Sequence, residues 1–234
     1  MKPLTVAEAQ DLIERHAPTA YYRDEYRKGE DCYLSELCAR LEEWLTGEGK
    51  DEGMVLEVGP GWGTLAVWLM SRGQFVAMVD MMPLGTWISA QHLEEWRQLV
   101  EGGGVVWAGC SYAQTDVHDA ERWASMAYNQ YPLVVMTQVI PHLKFRADGA
   151  LQNVRRAVAP GGLFIMQVLD RDQFPHVITP YRNWREVPEA GEPCPEIVPV
   201  MYDEADFRDL LEASDMASAL VERDGCVLTA TWRG

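Results

Sequence analysis

Ten residues, Val55-Leu56-Glu57-Val58-Gly59-Pro60-Gly61-Trp62-Gly63-Thr64, carry the clearest chemical signal in the chain. An apolar, β-branched run contains an acid near its end, three glycines follow at alternate positions, and an apolar segment of helical character begins. This is the pattern of a strand entering a tight turn and then a helix N-terminus. Glycine suits such a turn because the backbone must take positive φ or approach a ligand closely. The dinucleotide-binding pattern G-x-G-x-x-G would put its third glycine at position 64, where this chain has Thr64, so the loop departs from the pyrophosphate fingerprint. Glu57, two residues before Gly59, would repel a phosphate and attract an ammonium. A ligand with a cationic amino-acid end and a nucleoside end fits that polarity. Another nucleotide-binding α/β turn, or a glycine loop without a ligand, also fits the bare spacing.

A second acid, Asp80, closes the apolar run Gln74–Val79, about 20 residues past the glycine loop. A carboxylate at such a strand end can accept both ribose hydroxyls. That supports a nucleoside without choosing between cofactors, and a strand-end Asp also caps ordinary turns. Met81 and Met82 follow, and either offers a face on which an adenine would pack.

The E-x-G-x-G-x-G sequence after a first strand resembles the first motif of the class I S-adenosylmethionine-dependent methyltransferases. The resemblance extends to Ala159-Pro160-Gly161-Gly162 before a fifth strand and to a hairpin signal at Asp224-Gly225. It covers residues from about 54 to the end of the chain. It implies S-adenosylmethionine as cofactor, with Glu57, Gly59, Pro60, Gly61, Trp62, Gly63, Asp80, Met81, Ser111 and Gln138 as the residues that bind it. The chain departs from the family pattern after the third strand, where Gly109-Cys110-Ser111-Tyr112 lacks the usual acid. Ser111 or a backbone group would take that place, and Asp116 lies further along. The fourth strand leaves through Thr137-Gln138-Val139-Ile140-Pro141-His142, a loop that in small-molecule members of the family lies beside the methyl donor. His142 is therefore a candidate general base near neutral pH, or a histidine that only shapes the loop. Neither an N-P-P-Y motif nor a double-glutamate arginine clamp is present.

The elements that would position these residues alternate. Strands are expected over 54–58, 74–80, 104–109, 133–139 and 162–168, with helices over about 64–72, 85–100, 119–128 and 147–158. Alternation of this kind makes a mostly parallel sheet with helices on both faces. A helix at 203–214 and two strands at 219–223 and 226–232 follow. Asp224-Gly225 between those strands is a hairpin signal, which closes the sheet with an antiparallel pair. The fold expected is a Rossmann-like α/β three-layer sandwich with a seven-stranded sheet. Before the first strand, Thr5 and Glu8 spell a capping box, and Leu34, Leu37, Cys38, Leu41, Trp44 and Leu45 form an apolar helical stripe. The organisation expected is one domain over 1–234. Within it, 1–50 is an N-terminal helical cap, 51–169 the donor-binding core, 170–202 an irregular substrate-side insert, and 203–234 the last helix and hairpin. The cap is expected to close over the donor, with Tyr22 or Tyr26 reaching the site and Tyr22 a candidate catalytic residue. Most tryptophans, notably 44, 68 and 96, fall on core stripes, and Trp184 in the insert is the better pocket candidate.

Composition narrows the partners. A net charge of −16 over 234 residues argues against nucleic acid, which needs clustered Lys and Arg. No run is long and apolar enough to span a bilayer, so no membrane association is expected. Five cysteines at 32, 38, 110, 194 and 226 make no C-x-x-C pair, which offers neither a disulfide framework nor a metal site. A cytoplasmic enzyme acting on a small-molecule acceptor, monomeric or homodimeric, is the resulting expectation. A protein or peptide methyltransferase, or a non-catalytic partner subunit that binds S-adenosylmethionine, are the alternatives.

Overall fold

The computed structural model describes residues 3–16, 22, 26–47, 53–102, 108–126, 129–143, 145–174, 181–190 and 200–234. The chain packs as two compact units, Met1–Gln114 and Thr115–Gly234. The first holds helices α1 (Val6–His16), α2 (Arg27–Asp31) and α3 (Leu34–Gly47). These are followed by β1 (Met54–Val58), α4 (Thr64–Met70), β2 (Phe75–Asp80), α5 (Ala90–Gly102) and β3 (Cys110–Gln114). The second holds α6 (Ala120–Met126), β4 (Tyr131–Thr137), α7 (Ala147–Arg155), β5 (Val158–Leu169), α8 (Glu204–Ala213), β6 (Leu220–Asp224) and β7 (Val227–Arg233). The strands run in the order β3-β2-β1-β4-β5-β7-β6 in one seven-stranded sheet. Pairs β1–β2, β2–β3 and β4–β5 are parallel, and β5–β7 and β6–β7 antiparallel. The Rossmann-like sheet with its closing hairpin is the fold expected from the residues.

In the first unit the expected cap helices form for the expected reasons. The Thr5 amide donates to Glu8 Oε2 (2.7 Å) and the Glu8 amide to Thr5 Oγ1 (3.2 Å), a reciprocal capping box. Leu34, Leu37, Cys38, Leu41 and Leu45 turn one buried stripe of α3 inward. Helix α4 is buried on every side, as its apolar residues Leu65 to Met70 require. Arg72 fastens the layer: its guanidinium lies 3.5 Å over the Trp68 ring, donates to the Leu4 carbonyl (3.0 Å) and pairs with Glu42 of α3 (2.6 Å).

Three boundaries differ from expectation, and the first is helix α5, which begins at Ala90 and not at 85. The third strand is Cys110–Gln114, whereas residues 104–107 of the span 104–109 lie outside the described residues. Ser111 is thus inside β3, paired with Ala77, and not in the loop beyond it. The unremarkable alternation Cys-Ser-Tyr-Ala-Gln carries little apolar signal because β3 edges the sheet and is only half buried. In the second unit β5 begins at Val158, not 162, and incorporates Pro160-Gly161-Gly162. Gly161 takes φ +77, its amide donates to the Gly234 carbonyl (3.0 Å), and the pairing of β4 with β5 is irregular between Tyr131 and Leu133. The glycines form an irregularity inside the strand instead of a turn before it.

Within the second unit α8 is capped by Asp203, whose side chain accepts from the Asp206 amide (2.8 Å). The described part of the insert is tied to this helix. Arg171 pairs with Asp203 and Asp206. Trp184 is buried, donates to Asp209 (3.1 Å) and lies under the guanidiniums of Arg146 and Arg185. The expectation that Trp184 faces a pocket is corrected: it anchors the insert to α8.

Gly63 is the residue on which the loop geometry turns. Its φ of +88 disfavours any side chain, and a Cβ there would stand 2.5 Å from the Trp96 ring of α5. Gly63→Ala is expected to destabilise the protein by about 1–3 kcal/mol, read as a lower midpoint of denaturant unfolding at unchanged slope.

Candidate functional site

The loop after β1 is closed by its own backbone. The Gly59 amide donates to the Val79 carbonyl (2.7 Å), tying the loop to β2, and the Gly63 amide donates to the Pro60 carbonyl (2.8 Å). Gly59, Gly61 and Gly63 all have positive φ. A Cβ on Gly61 would overlap the Tyr26 hydroxyl, so this glycine admits a cap tyrosine to the loop. The Trp62 amide donates to that same hydroxyl. The Tyr26 phenol is held well above its ordinary pKa, first by burial, then by Tyr33, Glu30 and Glu57 nearby.

Glu57 is the most informative group in the loop's floor. It is 3% exposed, and its Oε2 has no hydrogen-bond partner among the described residues. Burial pushes its carboxyl well above the usual range, and the acids Glu30 and Asp80 push it further in the same direction. Glu30 of α2, which sequence reasoning missed, is 5% exposed and accepts from Gln10 (3.4 Å) and from the Thr64 hydroxyl. Its pKa is raised to about 7, chiefly by burial. No pattern in the Arg27–Asp31 segment marks this acid as buried; only the packing of α2 on the loop does.

Asp80 stands at the C-terminal end of β2, beside Gln114 of β3 in the parallel register. Its Oδ1 accepts from the Met82 amide (2.8 Å). Burial raises its pKa while the Met82 and Met81 amides oppose that rise. Met81 is 50% exposed beside it, with Met82 and Leu84 also open to solvent. Gln114 Nε2 donates to the Met81 carbonyl (3.1 Å) and Tyr112 Oη to the Met82 carbonyl (2.9 Å), which fixes the segment after Asp80.

Aromatic rings cover the loop. Tyr22 is fully buried, stacks with Tyr26 (5.8 Å between centroids) and meets Trp62 edge-on (5.7 Å), and Trp62 meets Trp87 edge-on (5.1 Å). The Trp62 indole Nε1 is buried without an acceptor among the described residues. The Tyr22 hydroxyl lies 3.5 Å from Thr64 Oγ1, and burial holds the phenol neutral by raising its pKa far above 10. Tyr22 thus reaches the loop as expected, but as a neutral hydroxyl inside an aromatic layer. Residues 21 and 23–25 of the connecting segment lie outside the described residues.

In the second unit, Gln138 follows β4 with φ +55, a conformation uncommon outside glycine. Its backbone amide donates to the Gln167 carbonyl (3.1 Å), while both polar atoms of its side chain are buried without partners among the described residues. A strained backbone carrying an orphaned amide is the kind of feature that ligand sites retain. His142 ends a 3₁₀ turn, Ile140–His142, with its amide donating to the Val139 carbonyl (2.9 Å). The ring is exposed, and partial desolvation lowers its pKa below 6.5, so the imidazole is neutral and able to accept a proton at neutral pH. Asp116 receives the His118 amide (2.9 Å) and ring Nδ1 (3.0 Å), a local turn. Among the described residues, no group of three or more His, Cys, Asp or Glu is placed to hold a metal ion, and no helix is long and apolar enough to cross a membrane.

The groups in the first unit fit S-adenosylmethionine on two independent counts: an orphaned buried carboxyl under the glycine loop, and an acid at the end of β2 beside exposed apolar side chains. Comparisons with known proteins agree. No protein of curated function matches the sequence. Solved structures similar to it include an O-methyltransferase family protein from Burkholderia thailandensis (TM-score 0.58, 14% identity, 94% of this chain and 61% of that chain). The chain thus spans under two thirds of that relative's length. Also similar is 1,6-didemethyltoxoflavin-N1-methyltransferase from the same organism, with bound 1,6-didemethyltoxoflavin and S-adenosylhomocysteine (TM-score 0.57, 15% identity, 100% and 92% covered). A third is magnesium protoporphyrin IX methyltransferase from Synechocystis with bound S-adenosylmethionine (TM-score 0.54, 15% identity, 92% and 84% covered). At these identities the likeness is one of fold. A family model described as a methyltransferase domain matches residues 25–218, and the chain belongs to the class I S-adenosylmethionine-dependent methyltransferases.

Proposed function

We propose that this protein transfers a methyl group from S-adenosylmethionine to a small-molecule acceptor. The observation that carries the reading is the buried, unpartnered Glu57 carboxyl beneath the glycine loop, a position that calls for a cation. The neighbours that act on 1,6-didemethyltoxoflavin and on magnesium protoporphyrin IX, as named above, support a small-molecule acceptor.

S-adenosylmethionine, when bound, supplies a methyl group on a positively charged sulfur. Every other task falls to this chain. Glu57 binds the amino end, Gly59, Pro60, Gly61, Trp62 and Gly63 bring the backbone close to it, and Asp80 receives the ribose hydroxyls. Met81 packs on the base, and Gln114 holds Met81's backbone in place. Ser111, within β3, is left with an indirect role through the strand. Gln138 and His142, at the exit of β4, serve the acceptor side in this reading. The Gln138 amide offers both a donor and an acceptor to a ligand. His142, neutral at working pH, takes the proton of an acceptor that must lose one as it attacks. Exclusion of water by the aromatic layer of Tyr22, Tyr26 and Trp62 favours an in-line approach of the nucleophile. The reading treats 1–234 as one methyltransferase domain, with 1–50 as cap and 170–202 as acceptor-side insert. It also sets the enzyme in the cytoplasm, which its free thiols at Cys32, Cys38, Cys110 and Cys226 suit.

Two outcomes are expected. Asp80→Ala weakens binding of S-adenosylhomocysteine by about 1–3 kcal/mol, the loss of charge-assisted hydrogen bonds. Titration calorimetry reads this directly, and unchanged affinity would remove Asp80 from the site. With an acceptor identified by screening metabolites for release of S-adenosylhomocysteine, His142→Ala lowers kcat by about 10²–10⁴-fold with little change in donor affinity. The wild-type kcat falls on acidification only as the pH passes below about 6.5, where His142 protonates, and the variant lacks that limb. Near-normal turnover in both His142→Ala and His142→Asn would make the histidine a shaper of the loop.

A further inference from the structure

Helix α2 brings a second acid to the glycine loop, and nothing in the transfer reaction described so far uses it. Glu30 and Glu57 are both more than nine-tenths buried, Glu30 accepts from the Thr64 hydroxyl at the end of the glycine loop, and its charge adds to the rise in proton affinity of Glu57. Among the described residues neither forms an ion pair. Arg27, whose guanidinium opposes the rise at Glu30, is paired with Asp11 and Glu14, and Arg72 of the neighbouring layer is paired with Glu42. The other groups facing the pair are acids or neutral. They are Asp31 on α2, Tyr22 and Tyr26 before it, Gln10 on α1, Cys38 on α3, Asp80 on β2 and Thr64 at the start of α4. Burial of two carboxyls without a countercharge is unfavourable for the doubly ionised form, so the free protein holds at least one of them as the acid. Two orphans point to a ligand. Glu57 Oε2 lacks a donor and Trp62 Nε1, in the same loop, lacks an acceptor. Together they are the complement of a zwitterion.

We propose that Glu30 and Glu57 jointly receive the ammonium of the donor's amino-acid end, and that a proton held on one of them leaves as the ammonium arrives. The proposal rests on the donor reading above and adds to it a positioning residue from the cap and a proton linkage. The balance is simple. A carboxylic acid and a carboxylate become two carboxylates facing one ammonium, and one proton passes to the buffer. No bond to carbon, nitrogen or sulfur changes. Glu30, held by Gln10 and Thr64, thereby couples occupancy of the glycine loop to the packing of α1 and α2.

The linkage also has a signature in the free protein. A carboxyl whose folded pKa lies above its unfolded value binds more protons folded than unfolded between the two, so stability falls as pH rises through that window. For Glu30 the window runs from its ordinary 4.5 to about 7. Wild-type protein is expected to lose thermal stability across it, and Glu30→Gln, which keeps the size and the Gln10 contact, is expected to flatten that loss.

The test is calorimetry at pH 6.5 in two buffers of different ionisation heat, with S-adenosylhomocysteine and with 5′-methylthioadenosine, a nucleoside thioether without the amino-acid end. The proposal expects roughly one proton released per S-adenosylhomocysteine bound and none per 5′-methylthioadenosine. In Glu30→Gln it expects the release to fall sharply and S-adenosylhomocysteine affinity to drop about tenfold or more, with 5′-methylthioadenosine affinity unchanged. Binding of both nucleosides with identical heats in the two buffers overturns the proposal and leaves the donor reading standing. A Glu30→Gln protein that binds S-adenosylhomocysteine as tightly as wild type, with the same proton release, also overturns it. Failure of both nucleosides to bind the wild type removes the donor reading, and the proposal with it. The wild-type comparison decides the matter even if the variant does not fold.

Discussion

A carboxyl group buried under a glycine loop, with no cation to meet it, is the constraint around which the first unit is arranged. Placing an ion in a low-dielectric interior costs on the order of several kcal/mol even after relaxation. Glu57 therefore stays protonated or waits for a countercharge, and the structure provides none of its own among the described residues. A fold tolerates such a group when a ligand completes it. Strand β1 carries Glu57 to the start of the loop, and the Gly59 amide ties the turn after it to the Val79 carbonyl. Helix α4, buried all round, then keeps that turn from relaxing.

The same loop is shaped as much by protein as by ligand. Gly61 admits the Tyr26 hydroxyl and Gly63 admits the Trp96 ring, so the glycines let a cap residue and a core helix approach the backbone. Their lack of side chains answers an internal packing need as well as a binding one. The described N-terminal helices are accordingly packed into the first unit. Arg72 joins α1, α3 and α4, and Tyr22, Tyr26 and Trp62 form one aromatic layer with Trp87. Changes at α2 are thereby felt at the loop, through packing and through charge.

Much of this was legible from residue types. The strand before Gly59, the acid at its end, the alternation of strands and helices, and the hairpin at Asp224-Gly225 all follow from local patterns that the fold then respects. What was not legible has physical reasons. Strand β3 carries few apolar residues because it edges the sheet, so the pattern of burial that marks β1 and β2 is missing and nothing local shows that Gln114 stands beside Asp80. Trp184 lies in a Pro-rich stretch without periodicity, where no local rule tells a core anchor from a pocket wall; its partner Asp209 comes from a helix 25 residues on. Glu30 was invisible for the opposite reason. An acid in a five-residue helix of charged and small residues reads as solvated surface, and only tertiary packing buries it. The strain at Gln138 is likewise a property of the backbone, which no residue type in Thr137-Gln138-Val139 announces.

The account stands on the claim that Glu57 and Asp80 receive the two ends of the same ligand. A crystal structure of the protein with S-adenosylhomocysteine tests it most directly. The account predicts the amino group of the ligand within hydrogen-bond distance of the Glu57 carboxylate and the ribose hydroxyls on Asp80. A ligand bound with its amino-acid end turned away from Glu57, or a nucleoside that leaves Asp80 untouched, would contradict it.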